Sequence, residues 1–307
     1  MLLSSAQHIA IVRRNGFGDL LCSMPLFLYC LQEAPHAKIS LFVDESNAPL
    51  IPYLNIPSCH EVITFPRHNK YLSILTTALK HRSKHFDIAI SAKTSPMKLM
   101  NFFLYALGAR ERYAVVDKAW HSCFINKKAL YHQPSFTHTH QALKALRLLA
   151  PNLTEVPSEL WPTITIPSHV KRAYEQEMLM KIQRFSQYTS APTLLISVTN
   201  NRETSFLGIE NYSAILNELA THHDFHTIIS CLPGDYLMAQ ELASHLNTPA
   251  TIVDTSNFDM FMTLLSLVDI CFIGDGGIMH MAAALDKHQV VLFGSTSPEE
   301  WSPLSNK

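Results

Sequence analysis

Residues 268–285 read VDICFIGDGGIMHMAAAL, and the order of side chains in this stretch decides the fold. Val268 to Ile273 is a continuous apolar run, as expected of a strand buried on both faces. Three of the chain's 9 glycines, Gly274, Gly276 and Gly277, then surround one aspartate, Asp275. Ala282, Ala283 and Ala284 follow, and alanine is the strongest helix former. The stretch is therefore strand, glycine turn, helix. Glycines at such a turn let a ligand approach the backbone closely. The first turn of a helix offers unpaired N–H groups and partial positive charge to an anion. A tight turn with Asp275 as helix cap has the same signature, and local sequence leaves both readings open.

The alternation continues on both sides. In the first half, His8–Arg13, Lys38–Asp44, Glu61–Phe65, Phe86–Ala92 and residues 111–116 are strand candidates. Runs over 20–34, 71–84, 97–108 and 138–150 have helical spacing, the third stopped by Gly108. In the second half, Thr193–Thr199, His226–Leu232, 268–273 and Gln289–Gly294 are apolar strands. Helices are expected near Tyr212–Ala220, Tyr236–Leu246, Phe258–Ser266 and Ile278–Leu285. Such alternation argues for parallel sheets with helices on both faces. Residues 151–168 hold four prolines and no helical period, and a charged helix is expected over Val170–Ser186. The expected organisation is α/β, with two Rossmann-like, doubly wound domains at 1–160 and 191–307. A linker and hinge helix over 161–190 would join them. Ligands in such folds bind beyond the carboxyl ends of the strands.

Composition limits the function classes. A chain of 307 residues with 47% hydrophobic and 16% charged residues is globular, not disordered. The 6 cysteines form no C-x-x-C pair and several lie in apolar runs, which fits free buried thiols in a reducing compartment. The N-terminal MLLSSAQHIAIVRR has no basic residue before its broken apolar part, so it does not read as a signal peptide. No apolar run reaches the ~18 residues of a membrane span. A cytoplasmic protein is expected. The net charge of −1 hides an asymmetry: residues 1–150 carry 17 Lys and Arg against 8 Asp and Glu, and the rest carry 7 against 17. The basic half would meet an anionic partner, or the two halves would attract each other.

Two further loops could carry chemistry. RRNGFGDLLCSMP, Arg13 to Pro25, follows the first strand, and places Gly16, Gly18 and Asp19 at a helix start. It lacks the third glycine of the dinucleotide fingerprint. Asp19 is either a carboxylate able to take a proton from a substrate hydroxyl or a helix cap. SVTNNRETSF, Ser197 to Phe206, follows the first strand of the second half. Thr199, Asn200 and Asn201 there are hydrogen-bonding residues at a strand end and Arg202 is a candidate phosphate contact, or the stretch is an ordinary polar loop. His280 stands one turn into the helix after Gly277, as a ligand contact or a buried structural histidine. His138 and His140 have no Cys or carboxylate cluster beside them, so they read as helix-start or surface histidines and no metal site is expected. The basic residues Arg67, Lys70, Lys80, Arg82 and Lys84 would contact anionic lipid or an anionic substrate.

These loops together resemble glycosyltransferase family 9, the ADP-heptose:lipopolysaccharide heptosyltransferases. The carrying residues are DGGIMHMAAALDKHQVVLFGSTSPEEW, Asp275 to Trp301, and GDLLCSMP, Gly18 to Pro25, with HTHQALKALRLLAPN between them. The resemblance implies a GT-B fold, two Rossmann-like domains facing across a cleft. It implies an inverting transfer, without metal or other cofactor, from an ADP-sugar to an anionic lipid-linked saccharide of the lipopolysaccharide core. Asp19 would be the base. Thr199, Asn200, Arg202, Asp275, Gly276, Gly277 and His280 would bind the donor. Gly18, Arg67 and Lys93 would bind the acceptor. Peripheral contact with the inner membrane's cytoplasmic face is expected, and no nucleic acid. Two departures stand out. The family often has a lysine near the position of Thr204 or Ser205, and here there is none. The chain stops at Lys307, where family members usually continue into a helix that crosses back to the first domain, so that brace is expected to be missing or cut off. The alternative these departures suggest is an inactive GT-B protein that binds a nucleotide or glycan. A nucleotide-sugar epimerase is a further rival.

Overall fold

The computed structural model describes residues 2–58, 60–66, 68–183, 191–199 and 206–307, without the side chains of Lys70, Ser135 and Gln183. The chain forms two compact units. Unit 1 is Met1–Pro162 with Glu299–Ser302, and unit 2 is Thr163–Pro298 with Pro303–Lys307.

In unit 1, strands β1 (His8–Arg13), β2 (Lys38–Asp44), β3 (Glu61–Phe65), β4 (Ile88–Ser91), β5 (Glu111–Val116) and β6 (Lys127–Leu130) make one parallel sheet. Their order is β3-β2-β1-β4-β5-β6. The helices are α1 (Phe17–Leu21), α2 (Met24–Glu33), α3 (Lys70–His81), α4 (Lys98–Ala106) and α5 (Gln141–Leu146). β1 is buried from Ile9 to Arg13 because helices cover both faces, which is why it reads as an apolar run and not an alternation. On one face the core gathers Val12, Phe42, Phe65 and Phe86 of the sheet side with Ile74 and Ala78 of α3 and Met100 and Phe103 of α4.

Unit 2 opens with α6 (Ser168–Gln183) and holds strands β7 (Thr193–Ser197), β8 (His226–Cys231), β9 (Ala250–Asp254), β10 (Ile270–Gly274) and β11 (His288–Leu292). They form a second parallel sheet in the order β11-β10-β7-β8-β9. Its helices continue with α7 (Ile209–Ala220), α8 (Tyr236–Ser244), α9 (Phe258–Leu267) and α10 (Gly277–Ala284), and α11 (Pro298–Trp301) closes the series. Both sheets run outward in two directions from a central pair. The order reverses between β1 and β4 in unit 1 and between β7 and β10 in unit 2. In such sheets the crevice for a ligand opens at that reversal, beyond the carboxyl ends of the strands.

Several expectations need correction. The helical run over 20–34 breaks at Cys22–Ser23 into α1 and α2. Pro25 has no N–H to give the carbonyl four residues back, and the break puts it in the first turn of α2, where the missing donor costs nothing. The edge strands β6 and β9 have no strand assignment in the sequence reading. Glu299–Ser302 belongs to unit 1, where Glu300 pairs with Lys144 at 3.1 Å and accepts from Gln141 Nε2 at 2.9 Å. The helix α6, expected in the hinge, is part of unit 2 and packs against α9. Among the described residues no helix is long and apolar enough to cross a membrane.

Candidate active site

In unit 1 the candidate residues gather where the strand order reverses. β1 and β4 pair with Val12 opposite Ser91, so Arg13 and Ala92 stand side by side at the strand ends. Arg13 is 2% exposed and points its guanidinium across this gap. Its Nη1 donates to the Ala92 carbonyl at 2.5 Å, and its Nη2 donates to Asp19 Oδ1 in a close ion pair. Asp19 lies in the first turn of α1, whose N-cap is Gly16. A buried guanidinium needs a partner, so this pair fixes the carboxylate relative to both strands. Lys93 follows Ala92. Burial lowers its pKa below the ordinary lysine value, the Arg13 charge lowers it further, and Asp19 opposes both. Gly18 is buried inside α1, and its carbonyl accepts from the N–H of Cys22 at 2.9 Å.

The loop after β4 is held by its neighbours. Thr94 donates to Gln141 Oε1 in a short hydrogen bond, and Gln141 in turn donates to Glu300. His140, the N-cap of α5, accepts from Ala142 N at 3.2 Å through Nδ1. That leaves Nε2 to donate its hydrogen to the Ser302 carbonyl at 2.8 Å. His138 faces Glu299 at 3.3 Å. Both histidines therefore have structural contacts at the start of α5.

In unit 2 the register places Phe272 opposite Ile196, so Asp275 and Thr199 each follow three residues beyond a paired position. Gly276 is the N-cap of α10, and Gly277 begins the helix. Asp275 is 2% exposed. Its N–H donates to the Leu292 carbonyl at 2.9 Å, and its carboxylate accepts a short hydrogen bond from the Thr296 hydroxyl. The cap position thus belongs to Gly276, one residue past the aspartate. His280 is buried on α10. Thr199 turns toward β8: it donates to Asp235 Oδ2 at 2.5 Å and accepts from Leu232 N at 2.9 Å. Arg67, Asn200 and Arg202 lie outside the described residues.

Sequence reasoning missed Arg13 and Thr296. An arginine ending an apolar strand looks like the point where the strand meets solvent. Thr296 sits in GSTSP, inside the stretch that carries the family resemblance.

A family model of glycosyltransferase family 9 (heptosyltransferase) matches residues 75–307. The chain belongs to this family. It is a glycosyltransferase, and both of its sheets belong to the matching fold. It is 22% identical over 314 residues to lipopolysaccharide heptosyltransferase 2 of Escherichia coli K12, covering 97% of this chain and 86% of that protein. A family 9 glycosyl transferase from Veillonella parvula superposes with a TM-score of 0.79 at 17% identity, covering 99% of this chain and 84% of that one. The E. coli heptosyltransferase WaaC with ADP gives 0.65 at 16% identity, covering 97% and 91%. At these identities the two solved structures show the GT-B fold of this family 9 enzyme.

Proposed function

We propose that this family 9 glycosyltransferase moves a heptose or related sugar from an ADP-sugar to an anionic, lipid-linked saccharide of the lipopolysaccharide core, at the cytoplasmic face of the inner membrane. The observation that carries the reading is Asp19, oriented by a buried arginine at the strand-order reversal of unit 1 with Lys93 beside it. Asp19 is the base. It takes the proton of the acceptor hydroxyl as the oxygen attacks the anomeric carbon, and the bond to the diphosphate breaks on the opposite side. One displacement inverts that carbon. Lys93 and Gly18 hold the acceptor, with Arg67, and the lysine charge suits a phosphate or carboxylate on it.

The donor sits in unit 2 at the start of α10. The N–H groups at Gly276 and Gly277 and the helix dipole take up the charge growing on the departing diphosphate, so no cation is required. Asp275 is itself an anion and accepts a sugar hydroxyl instead of touching phosphate. His280 lies one turn along α10. Thr199 borders the same end of the sheet, and Asn200 and Arg202 are assigned to the phosphates from the sequence alone. The relative crystallised with ADP supports adenine as the base.

The test is transfer to a core acceptor by Asp19→Asn, which keeps an oxygen for Arg13. Removing a general base costs about 10²–10⁴-fold in kcat. The expected variant binds ADP as the parent does, unfolds at a similar temperature and loses turnover by that factor. Near-parental turnover from a folded variant would remove Asp19 from its role. ADP binding by the parent with no transfer to any acceptor would favour an inactive binding protein.

A further inference from the structure

The proposed base lies on a short element. α1 has 5 residues, and a helix of that length does not hold itself in water. The direction of Asp19 therefore depends on the corner through which the chain enters α1, Asn15–Gly16. Asn15 has φ +93°, in the left-handed region that residues other than glycine avoid, although asparagine tolerates it best. It is exposed, so packing does little to keep it there.

What holds this corner comes from the end of β2. Asp44, the last residue of that strand, accepts from the Asn15 N–H at 2.8 Å through Oδ2 and from Arg14 Nε at 2.6 Å through Oδ1. Asn47, fully buried in the 3-10 segment Glu45–Tyr53, donates through Nδ2 to the Asn15 carbonyl at 2.8 Å. Both polar groups of the Asn15 backbone are thus gripped by one short stretch, residues 44–47. The Arg14 and Asp44 side chains are each 14% exposed, so their pair is largely out of water and its hydrogen bond is of the stronger, charge-assisted kind. The Arg14 guanidinium also lies 5.8 Å from the centre of the Phe65 ring. Two consecutive arginines are in this way sorted between two carboxylates: Arg13 takes Asp19 and Arg14 takes Asp44. Without Asp44, Arg14 would be a second cation free to compete for Asp19.

We propose that Asp44 is a positioning residue for the transfer: with Asn47 it clamps the Asn15–Gly16 corner and so aims Asp19 at the acceptor hydroxyl. The inference deepens the proposed function and rests on the reading of Asp19 as the base. Asp44 acts only through the loop. A carboxylate at the other end of the same sheet supplies the control. Asp87, just before β4, accepts from the N–H groups of Gln7 and His8 at 2.8 and 3.1 Å and faces Arg110 at 3.5 Å. It makes the same kind of grip where the strands begin, away from Asp19.

The test compares Asp44→Ala, Asp44→Asn and Asp87→Ala with the parent in two measurements. One is hydrogen–deuterium exchange of the amides of residues 15–20, which needs no substrate. The other is steady-state transfer to a core acceptor, with ADP titration alongside. In Asp44→Ala, exchange at 15–20 should quicken roughly tenfold, with β4 and β5 unchanged. In Asp87→Ala, residues 15–20 should exchange as in the parent. Small displacements of a reacting group are costly, so kcat of Asp44→Ala should fall by about 10–10²-fold with ADP affinity kept. Asp44→Asn, which keeps one acceptor oxygen, should fall between, and it carries the test if Asp44→Ala does not fold. Asp87→Ala should melt at a lower temperature, as Asp44→Ala does, and yet keep its kcat. That contrast separates aiming from stability. Parental exchange at 15–20 in the Asp44 variants, a kcat for Asp44→Ala equal to that of Asp87→Ala, or a loss confined to ADP affinity would each overturn the inference. A parent that transfers to no acceptor overturns the transferase reading, a failure distinct from parental exchange in the Asp44 variants, which overturns the clamp.

Discussion

At the scale of single residues, the candidate site of unit 1 depends on how one buried arginine is satisfied. Arg13 spends Nη1 on the Ala92 carbonyl and Nη2 on Asp19, and its charge reaches Lys93. Because burial and Arg13 depress the lysine's pKa, Lys93 gives up its proton at lower pH than an exposed lysine. An anionic acceptor should therefore bind less well as the pH rises through the alkaline range below the ordinary lysine value of 10.5. The KM for acceptor should climb there in the parent. In Lys93→Gln it should start higher and stay flat, and parallel profiles would dismiss the contact. In the same window the unfolded chain holds the proton more tightly than the folded one, so this group adds stability as the pH rises. In unit 2, Thr296→Val removes a donor from the buried Asp275 and should cost about 1–3 kcal/mol, read as a lower melting temperature and weaker ADP binding. Asp19 and Asp275 were legible in the sequence because each closes a strand-to-helix turn. Arg13 and Thr296 were not, because what defines them is a partner across the fold.

At the scale of elements, the apolar strands were legible and two of the four edge strands, β6 and β9, were not. β1, β2 and β3 match the sequence reading residue for residue, and for β1 and β2 the reason is that buried parallel strands are largely unbroken apolar runs. β6 has the sequence KKAL, with both lysines exposed. Lysines guard a sheet edge against further pairing, and that makes the edge read as a loop. The run over 138–150 shrank to α5 because its start is set by a cap and not by apolar spacing. That cap makes a prediction. His140 accepts through Nδ1 and donates through Nε2, an arrangement only the neutral ring can make. Burial lowers its pKa, the Ser302 carbonyl opposes that, and Lys144 adds to it. The folded state therefore resists protonation while the unfolded chain accepts it below the ordinary value of 6.5. Stability from this group is present above that value and is lost as the pH falls from there toward the lowered folded pKa. His140→Gln should unfold at a lower temperature near neutral pH and show a shallower loss on acidification. Equal slopes for parent and variant would remove His140 from the cap.

At the scale of the whole molecule, two features matter: the opposite charges of the two halves and the return of Glu299–Ser302 to unit 1. The Lys144 side chain is 6% exposed and Glu300 is its carboxylate partner. Breaking a buried pair by removing one member leaves an uncompensated charge, so Glu300→Ala should destabilise the protein by about 3 kcal/mol, while the exposed Glu299→Ala should change little. Equal melting temperatures for the two variants would contradict this. The return segment was hidden from the sequence because PEEW is too short to show a helical period, and its contacts span more than 150 positions. The proposed ADP-sugar site is at the start of α10 in unit 2. Its test is calorimetric titration of the protein with ADP, UDP and GDP, with chelator and with magnesium. ADP is expected to bind in preference to the other two, independently of magnesium, and Asp275→Ala to abolish the binding. Tighter binding of UDP or GDP, or ADP binding that requires the cation, would contradict it.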